Sequence, residues 1–235
     1  MLQIVLMTSL ALLGSTGPRT RNATVISNRK KIHVEERCNP SAAGRAPAVI
    51  FLHGSGGPES VNLPYRDEEE DLVKLGYCSY APHYLDATGG SAENPPDHYS
   101  AWVRVVEDTV KYITTSTGTT RNRIALVGYS LGASVALAAG ATDPHFAAIV
   151  EFSGSLPDDY IRALESFPPL LIIHGRDDSF VPVENAIQLT KLCELRHFSC
   201  TEELHIGEGH FFTNAAIIRS NQKVKQFLKA RLPIS

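Results

Sequence analysis

The sequence predicts an α/β protein with a mostly parallel central sheet, helices on both of its faces and no large lid domain. Three observations carry that expectation. From residue 48 onward, short apolar runs alternate with stretches of helical length, the order expected of strands joined by helical crossovers. Several runs, Ala48-Val49-Ile50-Phe51-Leu52 among them, are apolar without a break, as in strands buried on both faces. Finally, Gly128-Tyr129-Ser130-Leu131-Gly132 lies between the apolar Ile124-Ala125-Leu126-Val127 and the small-residue run Ala133-Ser134-Val135-Ala136-Leu137-Ala138-Ala139, which reads as strand, tight turn and helix.

Taken in order, residues 24–27 and 31–36 read as an antiparallel entry to the sheet. Residues 48–52 form a buried strand closed by His53-Gly54. Residues 66–75 form a helix stopped by Gly76, since glycine readily adopts the left-handed terminal conformation. Residues 77–81 are the next strand, ended by Pro82, and 86–97 a loop rich in Gly, Pro and Asp. Trp102, Val105, Val106, Val110 and Ile113 recur near helical spacing within a helix from about 99 to 115. After the central strand and helix come a strand at 146–152, a strand at 170–173 entered through Pro168-Pro169, and a helix at 182–195 with proline in its first turn. A strand at 198–206 and a helix at 214–228 close the chain. Only residues 153–167 separate two of the strands, too few for a helical lid.

The chain has 235 residues, 43% hydrophobic and 20% charged, with a net charge of -3. That length suits a single domain, placed at residues 22–235. The balance, without a basic cluster, argues against nucleic-acid binding. Residues 1–13 are almost wholly apolar and Gly14-Ser15-Thr16-Gly17 is small and polar. Residues 1–17 therefore read as an export leader rather than a membrane anchor, although no lysine or arginine precedes the apolar run. Export to the periplasm or medium is the expectation, and a cytoplasmic protein the alternative. Four cysteines, Cys38, Cys78, Cys193 and Cys200, allow two disulfides in an exported protein or four buried thiols. Cys193 and Cys200 flank a helix-to-strand connection and could pair. No C-x-x-C spacing occurs, so no metal is expected. Asn22-Ala23-Thr24 matches a glycosylation sequon.

Four strand ends carry reactive or glycine-rich chemistry. At the first, glycines let the backbone of His53-Gly54-Ser55-Gly56-Gly57 approach a ligand. The backbone N–H groups of Ser55 and Leu131 are the candidate oxyanion donors. At the second, Gly128 and Gly132 relieve the crowding of a turn that presents Ser130 at a helix N-terminus, where negative charge is favoured. Without its flanks the same pentapeptide would be a plain glycine-bounded helix start. The third is His174-Gly175-Arg176-Asp177-Asp178-Ser179-Phe180-Val181-Pro182, in which either aspartate could orient a histidine or merely cap a helix. At the fourth, Gly207-Glu208-Gly209-His210-Phe211, one of 9 histidines follows the last strand and can reach over the serine. The serine, acid, histidine order is that of the α/β-hydrolase triad. Tyr84, Tyr129, Phe180 and Phe211 are candidates for lining the cleft.

From Ala46 onward the chain resembles the dienelactone hydrolase family of α/β hydrolases. The resemblance rests on Phe51-Leu52-His53-Gly54-Ser55-Gly56-Gly57, Ala81-Pro82-His83-Tyr84, Gly128-Tyr129-Ser130-Leu131-Gly132, the segment from His174 to Pro182, and Gly209-His210-Phe211. It implies the α/β-hydrolase fold, and its H-G-x-x-D-x-x-V-P pattern implies Asp178 as the acid. The family uses cysteine as nucleophile, and this chain has Ser130. The family also carries an arginine after the A-P segment for the substrate carboxylate, and residues 83–90 contain none.

The expected function is a serine hydrolase of carboxylic esters, with Ser130, His210 and Asp178 as catalytic residues and no cofactor. Its partner is a small-molecule ester. Lactone or thioester hydrolysis, or peptidase or acyltransferase chemistry on the same triad, are the nearest enzymatic alternatives. From a different class, a binding protein on an inactive hydrolase fold should have lost a triad residue or the glycines, and this chain has both.

Overall fold

The computed structural model describes residues 19–39, 46–60, 63–162 and 164–234. The leader expected at residues 1–17 lies outside them. The chain runs β1 (Arg19–Ser27), β2 (Lys30–Cys38), β3 (Ala48–Leu52), α1 (Arg66–Leu75), β4 (Cys78–Pro82), α2 (Tyr99–Thr117), β5 (Ile124–Tyr129), α3 (Leu131–Thr142), β6 (Ala148–Phe152), α4 (Asp158–Ile161), β7 (Leu170–Gly175), α5 (Glu184–Arg196), β8 (Cys200–His205) and α6 (Asn214–Arg231). The strands form one sheet in the order β1-β2-β4-β3-β5-β6-β7-β8. β1 with β2 and β2 with β4 are antiparallel, and every other pair is parallel. This is the α/β-hydrolase fold.

The entry hairpin is longer than the sequence suggested. Its two-residue turn, Asn28-Arg29, has φ of 46° and 66°, the left-handed pair that matches the twist of flanking strands. Pairing then runs on from Ser27↔Lys30 to Arg19↔Cys38. The outer part was missed because an exposed edge strand needs no apolar alternation. α1 occupies the expected residues and ends at Gly76 with φ 109°. Four features were not anticipated: 3-10 helices at Tyr84–Thr88, Pro95–Asp97 and Arg121–Arg123, and the four-residue α4, which is all the helix between β6 and β7 among the described residues.

Alternation along the buried strands divides the core in two. In β3, Ala48, Ile50 and Leu52 face one side with Trp102 and Val106 of α2, most of α3, and Leu189 of α5. Val49 and Phe51 face the other, with Leu72 of α1 and Val224 and Leu228 of α6. The same alternation recurs in β5 and β7, because successive strand side chains point to opposite faces. All but the last two residues of α3 are buried. Its alanines and Gly140 let it lie close to the sheet, so this helix is fixed from all sides.

The chain builds outward from β3 to β4, then returns to β5 on the other side of β3. The loops after β3 and β5 diverge there, leaving the crevice in which such sheets bind ligands. Among the described residues, no helix is long and apolar enough to cross a membrane.

Candidate active site

Ser130 occupies the sharp turn between β5 and α3 with φ 54° and ψ -121°. That conformation is costly for a residue with a Cβ, about 1–3 kcal/mol, and its surroundings enforce it. Ser130 N donates to Phe152 O at 2.8 Å, and Ser134 N donates to Ser130 O at 3.1 Å. A Cβ at Gly128 would stand 2.6 Å from Ala133 Cα, and one at Gly132 would stand 2.5 Å from Leu52 C. Only glycine fits either place. The Ser130 hydroxyl makes no capping bond to α3 and is free for other work.

That hydroxyl meets His210. His210 Nε2 lies 2.9 Å from Ser130 Oγ, and His210 Nδ1 lies 2.8 Å from Asp178 Oδ2. A carboxylate only accepts, so Nδ1 donates to Asp178 and Nε2 is left to accept the serine proton. The Asp178 side chain is fully enclosed. Its Oδ1 accepts the N–H groups of Phe180 at 2.9 Å and Val181 at 2.8 Å. These bonds turn the carboxylate inward and compensate its burial. Asp177 is exposed, and only its backbone is engaged, donating to Glu208 O at 2.9 Å. The structure thus selects between two aspartates that spacing left equivalent.

Residues not singled out in the sequence hold this chain in place. His174, fully buried at the end of β7, donates from Nε2 to Val181 O at 2.9 Å, and the same nitrogen lies 3.5 Å from Asp178 Oδ2. Burial lowers its pKa and favours the neutral ring. A Cβ on Gly175 would stand 2.8 Å from Glu208 C, so glycine is what allows the His210 loop to pass over β7. Glu208 pins that loop by accepting both the N–H and the hydroxyl of Thr213 at 2.7 Å.

The four aromatic candidates divide. Phe180 and Phe211 are 69% and 55% exposed, with rings 5.2 and 5.4 Å from that of His210. They rim the histidine on its open side. Tyr129 is buried with its ring 5.2 Å from His210, and its hydroxyl donates to His210 O at 3.1 Å. It braces the loop from beneath. Tyr84 corrects the sequence reading: it is fully buried, packs edge-on against Trp102 and donates to His53 O at 2.8 Å. A side chain sealed from solvent cannot line the cleft.

Of the two candidate oxyanion donors, Leu131 follows Ser130 in the chain and Ser55 follows Gly54, which packs against Ser130. Leu131 opens α3, so its N–H has no partner within the helix. Gly54, just before Ser55, is so close that a Cβ on it would lie 3.4 Å from Ser130 Cβ. Beyond the β6 end, a groove of 790 Å³ is lined by Tyr99, Ser100, Ser155, Leu156, Tyr160 and Arg162 among others. Ser155 N donates to Ser134 Oγ at 3.1 Å. Ser134 lies one turn along α3 from Ser130, about 6 Å at 1.5 Å per residue. Near the end of β6 lies Glu151, fully buried, with Oε2 accepting from Gly154 N at 2.7 Å. Burial pushes its carboxyl up to about 8, opposed by the Gly154 bond and aided by the Asp178 charge. No group of His, Cys, Asp and Glu among the described residues is arranged to hold a metal.

Residues 37–230 match the family model of the dienelactone hydrolase family. The chain belongs to the dienelactone hydrolase family. It is therefore a hydrolase. Curated proteins yield no sequence match. Among solved structures, the chain resembles dienelactone hydrolase from Anabaena variabilis ATCC 29413, with TM-score 0.74, 20% identity, and 92% of this chain and 99% of that one covered. It also resembles a dienelactone hydrolase-like promiscuous phosphotriesterase from metagenomic libraries, with TM-score 0.77, 16% identity, and 92% and 99% covered. A prolyl endopeptidase superposes with TM-score 0.75 at 14% identity over 94% of this chain, which spans only 39% of that longer protein. These identities speak for the fold alone.

Proposed function

We propose that this dienelactone hydrolase family member cleaves carboxylic esters through an acyl-enzyme on Ser130. The observation that carries the reading is the hydrogen-bonded chain Ser130–His210–Asp178, with links of 2.9 and 2.8 Å. His210 Nε2 takes the Ser130 proton as Oγ bonds to the acyl carbon. The backbone N–H groups of Ser55 and Leu131 hold the resulting oxyanion. When the tetrahedral species collapses, the bond to the leaving oxygen breaks and His210 returns its proton to that oxygen. Water, deprotonated by His210, then attacks the acyl carbon and frees Ser130.

Small, neutral acyl groups are the proposed substrates. Among the described residues only the four-residue α4 stands between β6 and β7, which offers little wall for a deep acyl tunnel, and residues 83–90 supply no arginine for a substrate carboxylate. Each buried methylene is worth about 0.8 kcal/mol, so a deep tunnel would make turnover climb steeply with chain length. The rest of the substrate extends along the groove beyond Ser155. We further propose export, supported by the leader-like residues 1–17 and by the placement of all four cysteines within pairing distance.

The test is fluorophosphonate labelling and kinetics on p-nitrophenyl esters, thioesters and lactones. Ser130→Ala is expected to lose the label and about 10³-fold or more in kcat while remaining folded. Acetate or butyrate esters should be turned over better than octanoate. Near-normal turnover by the alanine variant would sink the nucleophile assignment. A maximum at long chains, or faster cleavage of dienelactone than of neutral esters, would overturn the substrate class.

A further inference from the structure

We infer that His53 is a positioning residue for the oxyanion hole: its Nδ1–H fixes the Gly54–Ser55 peptide so that the Ser55 N–H faces the reacting carbonyl. The inference rests on the acyl-enzyme reading above. It starts from a contact that packing alone does not require. His53 Nδ1 lies 2.8 Å from Gly54 O. A carbonyl oxygen only accepts, so Nδ1 carries the hydrogen. Gly57 N donates to the same oxygen at 3.1 Å. Two donors therefore hold the Gly54 carbonyl on the protein side of the loop.

The consequence follows from peptide geometry. The peptide group that contains the Gly54 carbonyl also contains the Ser55 N–H. No described peptide bond is cis, and in a planar trans peptide the C=O and N–H point in opposite directions. Holding the carbonyl inward turns the N–H outward, to the side on which Ser55 is exposed. Gly54, in the same peptide group, lies against Ser130, since a Cβ on it would stand 3.4 Å from Ser130 Cβ.

The ring is itself held. His53 is 3% exposed and stacks on Tyr84 with centroids 4.5 Å apart, while the Tyr84 hydroxyl binds His53 O at 2.8 Å. Burial lowers the His53 pKa to about 4, so the ring stays neutral in the tautomer that donates from Nδ1. Its Nε2 has no hydrogen-bond partner among the described residues. A buried imidazole with one nitrogen unpaired is a poor packing group, since a leucine of similar bulk would leave nothing unsatisfied. The nitrogen that is used accounts for the residue.

The two nitrogens separate by substitution. In His53→Asn the amide nitrogen stands where Nδ1 stood. In His53→Gln it reaches one bond farther, and His53→Leu has none. Removing an oxyanion donor outright costs about 10²–10³-fold in kcat, so misdirecting one should cost about 10–10²-fold. We expect that loss in the Gln and Leu variants, with KM changed by less than about threefold and recovery of most of kcat in His53→Asn. An alkylboronic acid, which forms a tetrahedral adduct on the serine, should lose affinity by the same factor as kcat/KM. Equal losses in His53→Asn and His53→Gln, a loss confined to KM, or unchanged boronate affinity would overturn the inference. Should His53→Leu fail to fold, the Asn and Gln pair still decides. Fluorophosphonate labelling of Ser130 in the unaltered protein separates the two failures. Without it the acyl-enzyme reading falls and takes this inference with it; with it, equal Asn and Gln variants overturn this inference alone.

Discussion

Asp177 and Asp178 are chemically identical neighbours, and the backbone separates them. Asp178 Oδ1 accepts two N–H groups from the residues that follow it, leaving Oδ2 for His210. Asp177 has its side chain in solvent. Asp178→Asn is expected to lower kcat by about 10⁴-fold, because an amide can donate to Nδ1 and favour the wrong tautomer. Asp177→Asn should stay near the unaltered rate. Steady-state kinetics on one small ester compares them, and the reverse ranking would reject Asp178 as the orienting acid. The family pattern implies Asp178, whereas residue type and spacing left the two aspartates equivalent.

At the scale of elements, β6 holds the least expected group. Glu151 is the one charged residue of the otherwise apolar strand Ala148-Ile149-Val150-Glu151-Phe152, and it is fully buried, with its carboxylate against Gly154. Burial raises its carboxyl from the ordinary 4.5 to about 8. The folded protein therefore keeps this proton up to about pH 8, while the unfolded chain releases it near 4.5. Between those values the folded state binds more protons, so raising the pH lowers stability. The slope from this one group is at most about 1.4 kcal/mol per pH unit. Glu151→Gln should remove that part of the slope, and the variant should gain on the unaltered protein from pH 5 to pH 8. Urea unfolding at a series of pH values measures it; parallel profiles would show that Glu151 does not titrate in this range. The strand's hydrophobic neighbours made it legible as a strand, but nothing in the pattern marked its one carboxylate as buried.

Across the whole molecule, two disulfides tie the sheet to its surroundings. Cys38–Cys78 joins facing positions of β2 and β4, with Cα atoms 4.5 Å apart and a sequence separation of 40. Cys193–Cys200 joins α5 to β8 across 7 residues, at 6.1 Å. Closing these loops in the unfolded chain is worth roughly 4 and roughly 2.5 kcal/mol on chain entropy. Replacing Cys38 and Cys78 by serine should therefore lower Tm more than replacing Cys193 and Cys200. Calorimetry of the two double variants tests the ranking, which equal or inverted shifts would contradict. Intact-mass analysis of protein from its native host tests export, for which a chain beginning near residue 18 is the expected result.

The sequence by itself determined the architecture. Its unbroken apolar runs specify strands buried on both faces, its alternation of runs and helices specifies parallel crossovers, and its motifs place the chain in its family. Those signals are local, since each lies within one strand, turn or helix. Tertiary structure decided what depends on contacts between distant segments. It paired Cys38 with Cys78 across 40 residues, a match that spacing does not reveal. It buried Tyr84 under the His53 loop instead of opening it to the cleft. It turned Asp178 inward beside His174, and set Tyr129 beneath a histidine 81 residues farther along the chain. Hydrogen-bond direction and burial belong to the packed molecule, because each is set by which backbone groups the fold brings within reach of a side chain.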